Sequence, residues 1–313
     1  MKTVYNVYDY KSSRPTVVAL GIFDGLHKGH KAVLRRLKRV AGDSRAESCV
    51  VTFDPHPARI LSSKNPPPML VSTQHKLRLL AYAGIDKTVV IRFTKVFSKM
   101  TARRFIVDIL VKRLRVKTLV IGKNFLFGAK KSGTIRHMKR WGKEYGFTVE
   151  TVRPVLSKGE IVSSTRIRNL IMAGNLTEAR RLLGRDISIL GTVKKGSRRG
   201  RILGFPTANL DLHHEAIPPS GVYIVKVFVD SRVYRGILNI GFRPTFNATE
   251  KPHEASVEVH IFGFNREIYG KDVEVVFLKK IRRERRYKSR DHLRLRIAQD
   301  IRIAKRYFKR QKL

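Results

Sequence analysis

Over residues 1–180, short apolar runs rich in β-branched residues alternate with longer amphipathic segments. This alternation is typical of a parallel sheet whose strands are connected by helices. Because each amphipathic segment is long enough for the crossover that parallel pairing demands, we expect a doubly wound α/β domain. The predicted strands are Thr16–Ile22, Ser48–Phe53, Thr88–Phe93, Thr118–Ile121 and Phe147–Val152, and the predicted helices are His27–Val40, Thr73–Ala83, Ala102–Leu114 and Ile135–Tyr145.

The pattern changes after Ser163. A helical segment, SSTRIRNLIMAGNLTEARRLLGR, has a Ser/Thr start and an internal glycine break, and it precedes short β-branched runs punctuated by Gly and Pro. Asp230-Ser231 separates two such runs, as a hairpin turn would. We therefore predict a first domain at residues 1–186 and a second at residues 187–313, the second folded as an antiparallel barrel or sandwich.

The chain ends in a predicted helix with a single apolar face, formed by Leu293, Ile297, Ile301, Ala304 and Phe308. The other faces are strongly basic. A helix that packs its apolar stripe against the barrel and exposes its charges is the favoured interpretation. A helix that lies on a surface or contacts RNA is the alternative.

Composition adds a large positive charge to this picture. Lys and Arg number 66 against 24 Asp and Glu, a formal net charge of +42, so any polyanion would be attracted and adventitious nucleic-acid binding is expected. The basic residues are scattered rather than grouped with aromatic residues, which disfavours specific nucleic-acid recognition. Cys49 is the single cysteine and fits a buried thiol, and no apolar run is long enough to span a membrane. These features indicate a cytoplasmic protein, and they leave the oligomeric state open.

A glycine- and histidine-rich segment follows the first predicted strand. In GIFDGLHKGH, residues 21–30, a strand passes through a glycine turn into a helix, and glycines there admit a phosphate close to backbone N–H groups. His27 and His30 lie about one helical turn apart, with Gly29 between them. Two imidazoles could also ligate a metal, but a third ligand at a convincing spacing is missing from the nearby sequence. The segment therefore predicts phosphate chemistry.

The second half carries a candidate phosphate-binding loop, but G-x-x-x-x-G-K-[ST] does not occur, so a Walker-type kinase is disfavoured. Gly204 and Pro206 predict a tight loop that presents the Thr207 hydroxyl and the Asn209 amide, ligands suited to Mg²⁺ and phosphate oxygens. The alternative is a polar turn that caps a strand. On a strand of period two, Glu258 shares a face with Ser256 and His260 and could accept a proton, or it could be an exposed edge-strand residue.

These motifs resemble known families. FDGLHKGH is similar to the signature of the H-x-G-H nucleotidyltransferase superfamily. TFDPHP, IGKNFLFG and SSTRIR follow in order, and GFPTAN, PSGVY, NIG, RPTF and YGK follow in the second half. In that order they resemble the bacterial bifunctional riboflavin kinase/FAD synthetase family along the whole chain. The resemblance implies a nucleotidyltransferase domain that converts FMN to FAD, followed by a kinase barrel that converts riboflavin to FMN. Both domains would use ATP and Mg²⁺.

The resemblance also implies roles for individual residues. The catalytic residues would be His27, His30 and Arg166 in the first domain and Glu258 in the second, and Thr207 and Asn209 would bind Mg²⁺ together with the ATP phosphates. Ser164 and Thr165 suit a helix N-cap, and by analogy they would hold the β and γ phosphates. There are two alternatives. The chain could retain only one of the two activities, or it could be a basic polyanion- or RNA-binding protein on the same scaffold. The implied nucleotide and flavin contacts are Gly21, Phe23, Asp24, Gly25, Gly29, Asp54, Asn124, Ser164, Thr165, Arg168, Gly204, Thr207 and Asn209.

Overall fold

The computed structural model describes residues 1–61, 66–196, 199–242, 255–285, 287 and 289–311. The RPTF motif, residues 243–246, lies outside the described residues. Two compact units are present: Met1–Ile167 with Leu182–Gly184, and Arg168–Arg181 with Arg185–Leu313. The boundary between residues 186 and 187 stays a prediction. Within the described parts of the chain, no helix has the length and apolarity needed to cross a membrane.

The first unit contains a six-stranded parallel sheet in the order β1-β4-β3-β2-β5-β6. After β2 the chain builds the sheet on one side with β3 and β4, and it then crosses to the other side for β5 and β6. The order therefore reverses between β2 and β5, and ligands bind at such a switch point beyond the carboxyl ends of the strands. The strands are β1 Lys2–Val4, β2 Thr16–Leu20, β3 Glu47–Asp54, β4 Lys87–Arg92, β5 Val116–Gly122 and β6 Thr148–Val152.

Helices cover both faces of this sheet, as the doubly wound prediction requires. Alternate residues of β2 belong to different apolar clusters: Val17 and Ala19 pack on one face, and Val18 and Leu20 pack on the other. Cys49 on β3 is fully buried, as predicted, and burial raises the pKa of its thiol to about 12. The helices of this unit are α1 Lys28–Asp43, α2 Pro57–Leu61, α3 Thr73–Tyr82, α4 Lys95–Ser98, α5 Ala102–Phe105 and α6 Ile135–Tyr145. They are followed in the chain by α7 Ser164–Met172 and α8 Leu176–Leu183, each of which contributes residues to both units.

Three details differ from the predicted elements. The short edge strand β1 was not predicted. A helix was expected over Ala102–Leu114. Only its first part, α5, is an α-helix, and the chain continues as a π-helix over Ile106–Val111. A two-stranded hairpin, β7 Leu156–Ser157 and β8 Glu160–Ile161, precedes α7. The predicted glycine break is present, because Gly174 has a positive φ of 82° between α7 and α8.

The second unit is a closed barrel rather than a sandwich, with strands in the order β10-β13-β12-β11-β14-β9. Asp230 and Ser231 form the tight turn between β11 and β12 and have positive φ angles of 47° and 66°. A short helix, α9 Arg199–Ile202, precedes β10. The strands are β9 Ser188–Lys194, β10 Ala208–Asp211, β11 Gly221–Val229, β12 Arg232–Phe242, β13 Ala255–Ile261 and β14 Asp272–Arg282.

The long helix α10, Arg290–Arg310, packs against the barrel. Its residues Ile301, Ala304 and Phe308 are buried in one cluster with Val222 and Ile224 of β11. The favoured interpretation of this helix, an apolar stripe on the barrel with charges outside, is therefore confirmed.

Candidate active sites

The turn after β2 is built from backbone conformations that favour glycine. Phe23, Gly25 and Leu26 have φ angles of 53°, 84° and 44°. A Cβ atom added to Gly25 would lie 2.6 Å from Cδ1 of Leu70, so a side chain at this position would clash as well as strain the backbone. The turn reverses the chain at the carboxyl edge of the sheet and leads directly into α1.

Asp24 holds this turn to two other segments. Its buried carboxylate accepts hydrogen bonds from the backbone N–H groups of Leu70, at 2.8 Å, and Val71, at 3.2 Å. Its carbonyl oxygen accepts a hydrogen bond from the Ser164 hydroxyl at 2.8 Å. The carboxylate therefore contacts the segment that leads into α3, and a direct ligand contact of Asp24 stays a prediction.

His27 and His30 form a stacked pair at the N-terminus of α1. Their ring centroids are 3.7 Å apart, and the planes differ by 22°. His27 is the N-cap: its Nδ1 accepts hydrogen bonds from the N–H groups of Gly29 and His30, at 3.1 and 3.4 Å. Because Nδ1 is an acceptor, the neutral ring carries its proton on Nε2 and can donate it to a ligand.

Burial keeps both imidazoles uncharged. It lowers the pKa of His27 to about 4. Burial lowers the pKa of His30 well below its ordinary value, and the neighbouring His27 and Lys76 lower it further. Nδ1 of His30 is buried and has no hydrogen-bond partner among the residues that the structure describes. At neutral pH the pair therefore acts as hydrogen-bond donors and acceptors rather than as cations.

The N-cap of α7 differs from the prediction. Ser163, and not Ser164 or Thr165, caps the helix, since its hydroxyl accepts a hydrogen bond from the N–H of Arg166 at 3.3 Å. Ser164 and Thr165 occupy the first turn, where Ser164 is bonded to the turn after β2 and Thr165 is exposed. The predicted capping role of these two residues was therefore wrong, while their proposed phosphate contacts stay a prediction.

Arg166 is anchored on the β7–β8 hairpin. Its guanidinium donates to the carbonyl of Ser157 at 3.2 Å and pairs with Glu160 at 2.9 Å. Arg168 lies two residues further along α7 and is buried. The hairpin, which the sequence did not indicate, thus fixes the orientation of one predicted catalytic arginine.

The other residues predicted for the first site lie at the carboxyl ends of strands. Gly21 and Phe23 follow β2, and the Phe23 side chain is buried in the core. Asp54 ends β3 and accepts a hydrogen bond from the Thr73 hydroxyl. Asn124 is exposed in the turn after β5. Strand β5 pairs with β2, and the strand order reverses between these two strands. Their roles as ligand contacts stay predictions.

In the barrel unit, the structure brings the three predicted polar residues together. The Thr207 hydroxyl donates to Oε2 of Glu258 at 3.3 Å, and Asn209 on β10 lies directly opposite Glu258 on β13. Ser256 donates to Oε1 of Glu258 at 3.4 Å. Glu258 is half-buried, whereas Val257 on the other face of β13 is in the core, so the predicted alternation of faces is confirmed.

Gly200, Gly204 and His260 shape the loop before β10, and the sequence analysis gave no role to Gly200. A Cβ atom at Gly200 would lie 2.5 Å from the carbonyl oxygen of Phe205 and 2.9 Å from Oγ1 of Thr207. Nδ1 of His260 lies 2.7 Å from the carbonyl oxygen of Pro206. The loop also contains Gly204, whose φ of 83° suits the predicted tight turn. Glycine and histidine therefore set the position of the Thr207 hydroxyl.

Two cavities meet at Thr207. The larger, of about 730 Å³, contains Glu258 and is lined by the side chains of Phe205, Tyr287 and Leu293, among others. The smaller, of about 340 Å³, is lined by other residues that include Tyr269. Thr207 belongs to the walls of both.

Replacing Gly200 with alanine should displace this loop. We expect the variant to lose about 1–3 kcal/mol in the free energy of unfolding, because overpacking against fixed backbone costs this much. Chemical denaturation checks the result. Gly42→Ala is the control, since a Cβ atom there meets nothing within 4 Å. An unchanged free energy of unfolding in Gly200→Ala would contradict the role given to this glycine.

The chain is a transferase with two units, an H-x-G-H nucleotidyltransferase fold and a six-stranded kinase barrel. The family model described as FAD synthetase matches residues 9–166, and the model described as riboflavin kinase matches residues 183–308. The chain belongs to the bifunctional riboflavin kinase/FMN adenylyltransferase family.

Relatives with this name are similar along almost the whole chain. The Buchnera aphidicola (subsp. Schizaphis graminum) protein is 36% identical over 312 residues, which are 98% of this chain and 99% of the relative. The Escherichia coli K12 protein is 37% identical over 93% of this chain and 92% of its own length, and the Bacillus subtilis protein is 35% identical over 98% of each. A crystal structure from Streptococcus pneumoniae, titled a macrolide-efflux protein, has a TM-score of 0.80 and 32% identity, with 97% of this chain and 98% of that chain covered.

Proposed function

We propose that the barrel unit phosphorylates riboflavin to FMN and that the parallel-sheet unit adenylylates FMN to FAD, with one ATP consumed in each step. The observation that supports this division is that each unit contains its own set of phosphate-handling groups. His27 and His30 lie at a helix N-terminus in the first unit, and Thr207, Asn209 and Glu258 lie together in the second.

In the adenylyl transfer, a phosphate oxygen of FMN attacks the α-phosphorus of ATP, and pyrophosphate leaves. The nucleophile is already anionic, so the site does not need a strong base. Catalysis then depends on alignment and on donors aimed at phosphoryl oxygens, which gain charge in the transition state. The Nε2–H of His27 is such a donor, and Arg166 would add a fixed positive charge.

In the kinase step, the 5′-hydroxyl of riboflavin attacks the γ-phosphorus of ATP, and ADP leaves. A primary alcohol is a poor nucleophile, and a carboxylate within hydrogen-bond reach can accept its proton. We assign this role to Glu258. The hydrogen bonds from Thr207 and Ser256 orient its two oxygens, and they leave lone pairs for the substrate hydroxyl.

The residues around Asn209 fit a hard cation such as Mg²⁺. Side-chain oxygens of Thr207 and Asn209 are the kind of ligand that Mg²⁺ accepts, with ATP phosphates as the remaining partners. A Cβ atom at Gly196 would lie 2.1 Å from the side-chain amide nitrogen of Asn209. Only glycine at position 196 therefore leaves room for this amide. Bound Mg²⁺ would neutralise charge on the phosphates.

The two cavities suggest where the substrates of the kinase step bind. The base must reach the flavin alcohol, and Glu258 lines the larger cavity, so we place riboflavin there, against Phe205, Tyr287 and Leu293. ATP then takes the smaller cavity, and its phosphates reach across Thr207 to the alcohol. The predicted cytoplasmic location and the binding of polyanions stay predictions.

Purified protein incubated with riboflavin, ATP and Mg²⁺ should yield FMN first and FAD later, separated by chromatography. Chelation of Mg²⁺ with EDTA should stop both steps, and added Mg²⁺ should restore them, because both reactions concentrate charge on phosphate oxygens. If FMN accumulates without FAD, only the kinase activity of the proposal remains. If added FMN is converted but riboflavin is not, only the adenylyltransferase activity remains.

A further inference from the structure

Lys76 is a buried cation behind the turn that carries the imidazole pair. It lies on α3, and only 4% of its surface is exposed. Its ammonium donates a hydrogen bond to Oγ1 of Thr52 at 3.1 Å, and that hydroxyl donates to the carbonyl of Ile22 at 3.0 Å. Thr52 is fully buried on β3. A continuous path of hydrogen bonds thus connects α3, through β3, to the GIFDGLHKGH turn.

Charged and titratable groups from three segments face this ammonium. Asp24 in the turn after β2 and Asp54 at the end of β3 raise the pKa of Lys76, but burial outweighs them and lowers it to about 8. From α1, His30 is close enough for the charge of Lys76 to lower the pKa of its imidazole. The positive charge is therefore part of the electrostatic environment of the imidazole pair.

A second buried lysine shows what a structural role looks like in the same unit. Lys87 at the start of β4 is 3% exposed, but its ammonium forms an ion pair with Glu47 at 2.6 Å and lies over the ring of Tyr10. These partners raise the pKa of Lys87. The hydrogen bond of Lys76 goes instead to a neutral hydroxyl. Keeping a charge buried in this way is unfavourable, and such groups cluster at functional sites.

We propose that Lys76 is a positioning residue for adenylyl transfer. Through Thr52 it fixes the carbonyl of Ile22 at the turn, its charge adds to burial in disfavouring protonation of His30, and it draws the ATP phosphates toward the turn. The inference rests on the proposed adenylyl transfer in the parallel-sheet unit.

The pH dependence follows from the sign of the charge. Lys76 is charged below pH 8 and loses its proton as the pH rises through about 8. In the free enzyme this loss should lower kcat/KM for ATP in FAD formation, since kcat/KM reports groups of the free enzyme. Bound phosphates stabilise the ammonium and raise its pKa. The decline in kcat should therefore occur at higher pH than the decline in kcat/KM.

The test compares Lys76→Met with Lys87→Met in protein that also performs the kinase step. At pH 7, Lys76→Met should lower kcat/KM for ATP in FAD formation about a hundredfold, the lower end of the range found for the loss of one preorganised contact in an active site. The alkaline decline should disappear, and riboflavin phosphorylation should be unchanged. In Lys87→Met, the FAD formation that remains should keep the alkaline decline of the wild-type protein.

A spectroscopic measurement separates positioning from a merely structural role. The pKa of His30, followed by NMR, should rise in Lys76→Met because a neighbouring positive charge is removed. If this variant does not fold, Lys76→Arg replaces it: the retained charge should abolish the decline near pH 8.

Three results would overturn the proposal. The first is a pKa of His30 that is unchanged in Lys76→Met. The second is an alkaline decline of kcat/KM that persists in Lys76→Met or in Lys76→Arg. The third is an equal loss of both activities in folded Lys76→Met. Wild-type protein that forms no FAD from supplied FMN would instead refute the proposed adenylyl transfer on which the inference rests.

Discussion

Replacing His30 with alanine should strongly reduce the rate of FAD formation from FMN and ATP while riboflavin is still phosphorylated at the wild-type rate. The imidazole of His30 is stacked on His27 at 3.7 Å and is kept neutral by burial. The variant loses one ring of the pair and leaves His27 without its stacking partner. A fall of about 10²–10³-fold in kcat is expected, the usual cost of removing one preorganised donor from a site that stabilises developing charge.

The kinase activity of the same preparation is the internal control in this experiment. FMN formed from riboflavin shows that the barrel unit is folded and active, so a selective loss of FAD assigns the defect to the parallel-sheet unit. If His30→Ala formed FAD normally, or lost both activities together, the division into two independent sites would be wrong.

The second large effect is expected for Glu258→Gln. This substitution keeps the shape of the side chain and one of the two oxygens that accept hydrogen bonds from Thr207 and Ser256, but an amide cannot accept the proton of the flavin alcohol. FMN formation should fall about 10²–10⁴-fold, the range of general base catalysis. The rate of FAD formation from supplied FMN should not change, and chromatography measures both products.

A matched substitution checks that the effect does not come from lost charge alone. Asp230→Asn removes a carboxylate from the exposed turn between β11 and β12, in the same unit. It should leave both reactions at their normal rates. If Glu258→Gln formed FMN at the rate of the wild-type protein, a group other than Glu258 would have to accept the proton.

The sequence predicted both folds because each pattern has a direct physical cause. Buried parallel strands are apolar on both faces, as in β2, and the stripe of α10 repeats with the helical period. The glycine turn and the Glu258 face follow from local geometry in the same way. These features depend on neighbours in the sequence, so a single chain was enough to predict them.

The features that were missed depend on contacts between distant residues. Ser163, Ser164 and Thr165 have similar capping propensities, and Ser164 is bonded to Asp24, far away in the chain. Propensity alone could not select Ser163 as the cap. Strand β1 is too short to give a pattern, and the two cavities at Thr207 exist only after the barrel closes.

Lys76 illustrates the same limit at the site itself. In a basic chain, one more lysine on an amphipathic helix is expected to be exposed. A weak signal was present, because Lys76 precedes the fully buried Leu80 by one helical turn and shares its face. Only the packing of α3 against β3 shows that this face includes the lysine.

The burial of Cys49 makes the folded enzyme inert toward thiol reagents. Its sulfur is in the core, and the thiolate, the reactive form, is disfavoured there. Since the chain contains no second cysteine, a cysteine introduced at an exposed position would be the single accessible attachment point for a fluorescent dye or a spin label. Conformational changes during turnover could then be followed without prior removal of a native thiol.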